Sequence, residues 1–95
     1  MSTSILAVGT TPATSTSVTV AVGAPVAVGL FIIGGGVIPY IEDPVRCDIE
    51  DPNLAFTETS VILDSSNPVA LLIAPGVYRF RRPATGGPSI GIFRS

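Results

Sequence analysis

Short apolar runs broken by Gly, Pro, Ser and Thr recur along the whole chain, and inside the runs the hydrophobic positions alternate with polar or small ones. Val18, Val20 and Val22 alternate with Thr19 and Ala21, and Val45, Cys47 and Ile49 alternate with Arg46, Asp48 and Glu50. A period of two belongs to a strand with one buried face, so the second run predicts Val45, Cys47 and Ile49 on the core side and the three charges on the solvated side. The same reading gives strands over 3–8, 18–22, 26–33, 37–42, 45–50, 58–64, 69–74, 77–81 and 89–93. Pro39 makes the 37–42 strand an edge strand, because proline cannot donate to a ladder. Turns fall at Gly23-Ala24-Pro25, Gly34-Gly35-Gly36, Asp51-Pro52-Asn53, Ser65-Ser66-Asn67-Pro68 and Pro75-Gly76.

Strands this short, this evenly spaced and this regularly punctuated predict an all-β chain: a single small antiparallel β-sandwich or jelly-roll-like barrel of about eight short strands. Twenty-one Val and Ile residues among 95 support that choice over helices. The nearest helical candidate, 52–59, has Pro52 at a first-turn position but carries Thr57 and Thr59, which weaken it. The 95 residues suit one domain. The Ser/Thr-rich stretch 9–17 reads as its most mobile loop.

Charge changes the picture in one respect. Every charged residue lies at or beyond Glu42, and the five cations are all arginine: Arg46, Arg79, Arg81, Arg82 and Arg94. The uncharged run 18–41 is long enough to span a bilayer as a helix. However, Pro25, Pro39, three consecutive glycines and the lack of flanking cations argue against that helix, and no membrane partner is expected. A net charge of −2 supplies no field for nucleic acid, so that partner is not expected either. The start of the chain lacks the basic segment of a secretory signal, and a lone Cys47 cannot form an intrachain disulfide.

Catalytic chemistry is poorly supplied. With no His and no Lys, the usual general base and the amine nucleophile are missing, and Cys47 falls on a core face with no His to activate it. The acidic pairs Glu42-Asp43 and Glu50-Asp51, with Asp48, lack the spacing and turn glycine of a calcium loop. Gly34-Gly35-Gly36 is not followed by the Lys-Ser/Thr of a phosphate cradle. No enzymatic activity, metal or cofactor is therefore expected.

Two candidate contact surfaces remain. Arg79, Arg81 and Arg82, with Arg94, form the only basic constellation; Arg79 and Arg81 share one strand face and Tyr78 and Phe80 the other. Such a row is either a solvated face offset by the acidic strand 48–50 or a docking surface for acidic groups, which arginine forks bind in bidentate fashion. The second surface is the uncharged N-terminal half. A small domain leaves apolar surface unburied, and strands without charge lack edge protection. Val18, Val20, Val22, Val26, Val28 and Leu30 are accordingly the expected self-association residues of a homo-oligomer.

The segment 68–83, PVALLIAPGVYRFRRP, followed by Ser89-Ile90-Gly91-Ile92-Phe93, resembles the C-terminal hairpin of small β-rich virion proteins of tailed bacteriophages. Its local signature is Pro75-Gly76 followed, after one residue, by Tyr78-Arg79, and the Thr/Val/Gly-rich N-terminal half is similar in texture. The resemblance implies a capsid decoration or cement protein, assembled in the host cytoplasm and bound in many copies to the major capsid protein or another virion protein. It brings no catalytic residues. Another virion component of the tail, neck or fibre anchor, and a non-viral carbohydrate- or protein-binding sandwich module, are the alternatives.

Overall fold

The computed structural model describes residues 2–95. It contains nine strands: β1 (Thr3–Gly9), β2 (Ala13–Thr14), β3 (Val18–Val20), β4 (Val26–Phe31), β5 (Val45–Glu50), β6 (Phe56–Leu63), β7 (Val69–Leu72), β8 (Gly76–Arg82) and β9 (Ile90–Arg94). They form two antiparallel sheets, one in the order β1-β9-β4-β7 and the other β2-β8-β5-β6, with β3 also paired to β8. This is the all-β sandwich that the alternation predicts. No helix among the described residues is long and apolar enough to cross a membrane.

The chain changes sheet at almost every connection, which is why its loops need so many turn residues. The in-sheet hairpin is β5–β6. Its turn runs from Asp51 to Ala55: Leu54 N donates to Asp51 O at 2.9 Å, Asp51 N donates to Ala55 O at 2.7 Å, and Leu54 sits at φ 61. That left-handed position normally selects glycine, since a Cβ there crowds the following carbonyl. Asp51 compensates by accepting from Asn53 N at 2.8 Å and from Ala55 N at 3.1 Å through Oδ1.

Inward-facing residues of both sheets make one core. Val18, Val28, Val45, Cys47, Leu63, Phe80, Ile90 and Ile92 are fully buried in it. Ile38 and Ile41 join from the long connection between β4 and β5. That connection corrects one expectation: 37–42 is not a strand. Gly34, Gly35 and Gly36 all take positive φ, and the chain after them is free to tuck two isoleucines under the open end of the sandwich.

Other boundaries also move. The 9–17 stretch contains the short β2, and Ser15 is buried and bonded to Phe80 through backbone and side chain: its N donates to Phe80 O at 2.8 Å, and its Oγ accepts from Phe80 N at 2.9 Å. Val22 lies beyond β3 in the turn closed by the Ala21–Ala24 bridge and is exposed. The weak helical candidate 52–59 is instead the hairpin turn and the beginning of β6. The segment 68–83 is not a hairpin of one sheet, because Pro75-Gly76 carries the chain from β7 in one sheet to β8 in the other.

The outer face of the β1-β9-β4-β7 sheet is built on a repeated tripeptide. Gly29-Leu30-Phe31 of β4 and Gly91-Ile92-Phe93 of β9 run antiparallel, so that Gly29 faces Phe93 and Phe31 faces Gly91. Each ring lies over the partner's glycine. A Cβ on Gly91 would stand 2.7 Å from the Phe31 ring and 2.8 Å from Leu6 O, and one on Gly29 would stand 2.8 Å from the Phe93 ring. The two rings then meet edge to face with centroids 6.3 Å apart, within the favoured range for aromatic pairs.

Two substitutions should therefore move stability in opposite directions. Leu54→Gly should raise it by about 0.5–1 kcal/mol by relieving the left-handed position. Gly91→Ala should lower it by about 2 kcal/mol, because backbone as well as ring blocks the methyl group. Urea unfolding of both variants measures the two changes, and equal shifts of one sign would contradict this account.

Candidate functional site

The charged residues divide by sheet. The strands β5, β6 and β8 carry Arg46, Asp48, Glu50, Glu58, Arg79, Arg81 and Arg82, whereas β1, β4, β7 and β9 together carry only Arg94. The molecule therefore has one charged outer face and one nearly uncharged outer face.

On the charged face Asp48 is the centre. It sits opposite Arg79 on β8 and opposite Glu58 on β6. Arg81 grips it with a fork, Nε to Oδ2 at 2.7 Å and Nη2 to Oδ1 at 3.0 Å, and the same Nη2 reaches Glu58 Oε1 at 2.8 Å. Arg79 Nε lies 3.5 Å from Asp48 Oδ2, and its guanidinium stands 4.0 Å from the centroid of the Phe56 ring. The expectation of a solvated Asp48 is corrected here. Its side chain does project to the outer face, but the two arginines cover it until it is only 3% exposed. The hydrogen bonds it donates to Asp48 and then to Glu58 push the Arg81 guanidinium further up from its ordinary range. The four charges cancel, so this part of the face is an internally neutral cluster and not a bare basic row.

Arg82 points the other way, into the sandwich beside Tyr78 and Phe80. It is 5% exposed and has no carboxylate partner. Backbone carbonyls receive it instead: Nε donates to Thr11 O at 2.9 Å, and Nη1 donates to Ala7 O and to Ile90 O, both at 2.8 Å. Burial pulls its pKa down from the ordinary arginine range, although a guanidinium has so much reserve that it stays charged at neutral pH. Gly9 leaves room for it, since a Cβ there would stand 2.8 Å from Arg82 Nη2. Arg94 belongs to the other sheet and donates through Nε to Ser95 O at 3.2 Å. The row predicted from sequence thus resolves into a paired couple, a buried strut and a separate terminal residue.

Arg46 is the exposed cation of the charged face. It sits directly across from Arg81 and lines an open cleft of about 390 Å3 with Pro12, Pro44 and Pro83. Two of the remaining acidic groups, Asp51 and Asp64, are occupied locally. Asp51 caps its own turn and accepts from Thr57 Oγ1 at 3.3 Å, while Asp64 Oδ1 accepts from Ser66 N and Asn67 N at 2.9 and 2.8 Å. Among the described residues, no three His, Cys, Asp or Glu side chains come together as a metal site. Cys47 is fully buried, and burial pushes its thiol up to about 11, which keeps it protonated and unreactive at neutral pH.

The expected self-association residues occupy a different place from the one assigned to them. Val18, Val20, Val26, Val28 and Leu30 are buried in this chain's own core, because β3 and β4 belong to opposite sheets and turn these side chains toward each other. Of the six, Val22 alone is exposed. Ile33, Val37, Tyr40 and Leu54 are exposed in loops, and the exposed apolar residues of a sheet lie on the uncharged one, where Val69, Leu71 and Ile73 stand 52%, 57% and 65% exposed along β7 and just beyond it. Across the same face, Phe31 and Phe93 line a shallow groove with Ser2 and Ser4. The unbroken apolar run 69–74 and the repeated Gly-x-Phe were the signals in the sequence for this surface. No family model, curated protein or solved structure matches the chain.

Arg82 offers a direct check on this description. Arg82→Met should strand three carbonyls and lower stability by about 3 kcal/mol. That loss corresponds to a fall in Tm of more than about 10 °C for a domain of this size. Arg82→Lys should lose less, since one ammonium can satisfy part of the set. Calorimetry that finds Arg82→Met as stable as the parent would remove the residue's structural role.

Proposed function

We propose that the chain is a non-enzymatic virion structural protein of the capsid decoration or cement type, which binds and stabilises a phage head shell in many copies. The observation that carries this reading is the division of charge between the two outer faces. One face is capped by an internally neutral arginine–carboxylate layer suited to solvent. The other presents Phe31, Phe93, Val69 and Leu71 with scarcely any charge. A small domain that leaves such a face uncovered has a surface suited to burial against protein.

Attachment by the uncharged face follows the general anatomy of interfaces, in which aromatic anchors at the centre contribute most of the affinity and a polar rim sets the register. Phe31 and Phe93 are held in fixed positions by their glycine cradles, so little side-chain entropy is lost when they are covered. Repetition over a shell then supplies avidity that one contact would lack. Arg46, with its unpaired charge beside a proline-lined cleft, is available for an acidic neighbour at the rim. The major capsid protein is the intended partner, the virion the place of action, and assembly in the host cytoplasm the route. A tail, neck or fibre-anchoring role would use the same face.

Purified particles should contain the chain, and electron cryomicroscopy should place it on the head in symmetric copies. Ser4→Glu and Ala27→Glu, both on the uncharged face and away from the core, should each weaken rebinding to stripped heads at least tenfold while leaving Tm within a few degrees. Absence of the chain from purified particles, or undiminished rebinding by both variants, would overturn the reading.

A further inference from the structure

We infer that β7 is a self-pairing edge: it adds, antiparallel, to β7 of a second copy about a two-fold axis through Leu71. The backbone fixes which groups are available. Ser95 N donates to Ala27 O at 2.8 Å, so the odd-numbered residues of β4 turn their peptide groups toward β9. The even-numbered ones turn toward β7, where Leu30 N donates to Pro68 O at 2.8 Å. With Val28 opposite Ala70 and Val26 opposite Leu72, the alternation of an antiparallel ladder leaves Val69, Leu71 and Ile73 directing N–H and C=O to the open side. These are the residues whose side chains are also exposed.

A two-fold axis at Leu71 makes that edge complementary to itself. Leu71 exchanges both backbone hydrogen bonds with Leu71 of the second copy, and Val69 does the same with its Ile73. On the outer face Leu71 then meets Leu71, and Val69 meets Ile73, pairs of matched bulk.

The other sheet edges are blocked. Along β1, Ile5 O already accepts from Thr16 N at 3.0 Å and Ala7 O from Arg82. The β2–β3 edge is interrupted at Ser15, and β6 carries Glu58. By contrast, the chain bears no charge from Ser65 through Tyr78. Two copies of a net-acidic protein can therefore approach along this edge without setting like charges against each other. Short edges, charge and covering segments are the devices that normally prevent such pairing, and β7 has only its shortness.

Three exposed side chains per copy cover far less than the roughly 800 Å2 per partner of a stable interface. The pair is accordingly weak in dilute solution and forms at high concentration or where copies are held side by side. This inference deepens the multi-copy part of the proposed function and rests on it for the place where pairing matters, but its test needs no shell.

Sedimentation equilibrium from micromolar to millimolar protein should show a monomer–dimer equilibrium, with amide exchange at Val69, Leu71 and Ile73 slowed as the dimer fills. Leu71→Pro removes a donor that serves no bond within the chain, and Leu71→Lys places a charge on the axis. Each should weaken dimerisation at least tenfold, and Val69→Lys provides a further variant should either fold poorly. A monomer at millimolar concentration, or a dimer indifferent to all three substitutions, overturns the proposal. A monomer whose shell binding is lost with Leu71→Pro also overturns it, and assigns the edge to a strand of the shell protein. A dimer that does not bind shells leaves this inference standing and removes the shell reading.

Discussion

A buried guanidinium holds this sandwich shut at one end. Arg82 comes from β8 in one sheet and donates to carbonyls of β1 and β9 in the other, and to the loop that follows β1. Moving a charge out of water is costly, and in most interiors a carboxylate offsets the cost. Here oriented carbonyls do so, and a guanidinium can address several of them because its donors are spread in a plane. The same contacts satisfy oxygens at the β1 edge that water or another strand would otherwise have to reach. Gly9 follows from the space this side chain requires.

Once one end is closed in this way, the two outer faces are free to differ. The charged face is largely self-contained: the Asp48 carboxylate lies under the Arg81 fork and the Arg79 guanidinium, with Glu58 and the Phe56 ring completing the layer. The charges of Asp48, Glu58, Arg79 and Arg81 are used up among themselves, which leaves Arg46 and Glu50 for a partner. The uncharged face is flat because two glycines let two rings lie on the backbone. A sheet with one such face and one open edge is asymmetric in what it can bind, although the fold is a symmetrical-looking pair of layers.

The strands were legible in the sequence wherever one face is buried, because alternation survives there. Val45–Glu50 reads correctly in its boundaries, and the core positions of Cys47 and Phe80 follow from it and from its neighbour β8. Alternation failed where tertiary contacts act across a strand: Asp48 keeps its outward direction and is buried by residues more than thirty positions later in the chain. The arginine row was seen as one object because period two says which face a side chain takes and not what waits there. Arg82 shares the inward face with Tyr78 and Phe80, and only the placement of β1 and β9 shows that carbonyls receive it. The first forty-one uncharged residues suggested a split between halves of the chain. The split exists between sheets instead, since β7 and β9 join β1 and β4.

The pairing of β1 with β9 carries a consequence for how the molecule comes into being. The strand β9 lies between β1 and β4, so two of the other three strands of that sheet wait on residues far along the chain. Local hairpins cannot build it, and loop-closure entropy must be met before those contacts form. During synthesis the uncharged β1 and β4 emerge early and stay without their neighbour until β9 leaves the ribosome. The β5–β6 hairpin, with its Asp51 turn, is the part able to form first. Only a chain that has reached β9 acquires the flat aromatic face, so copies cut short before it lack that surface altogether.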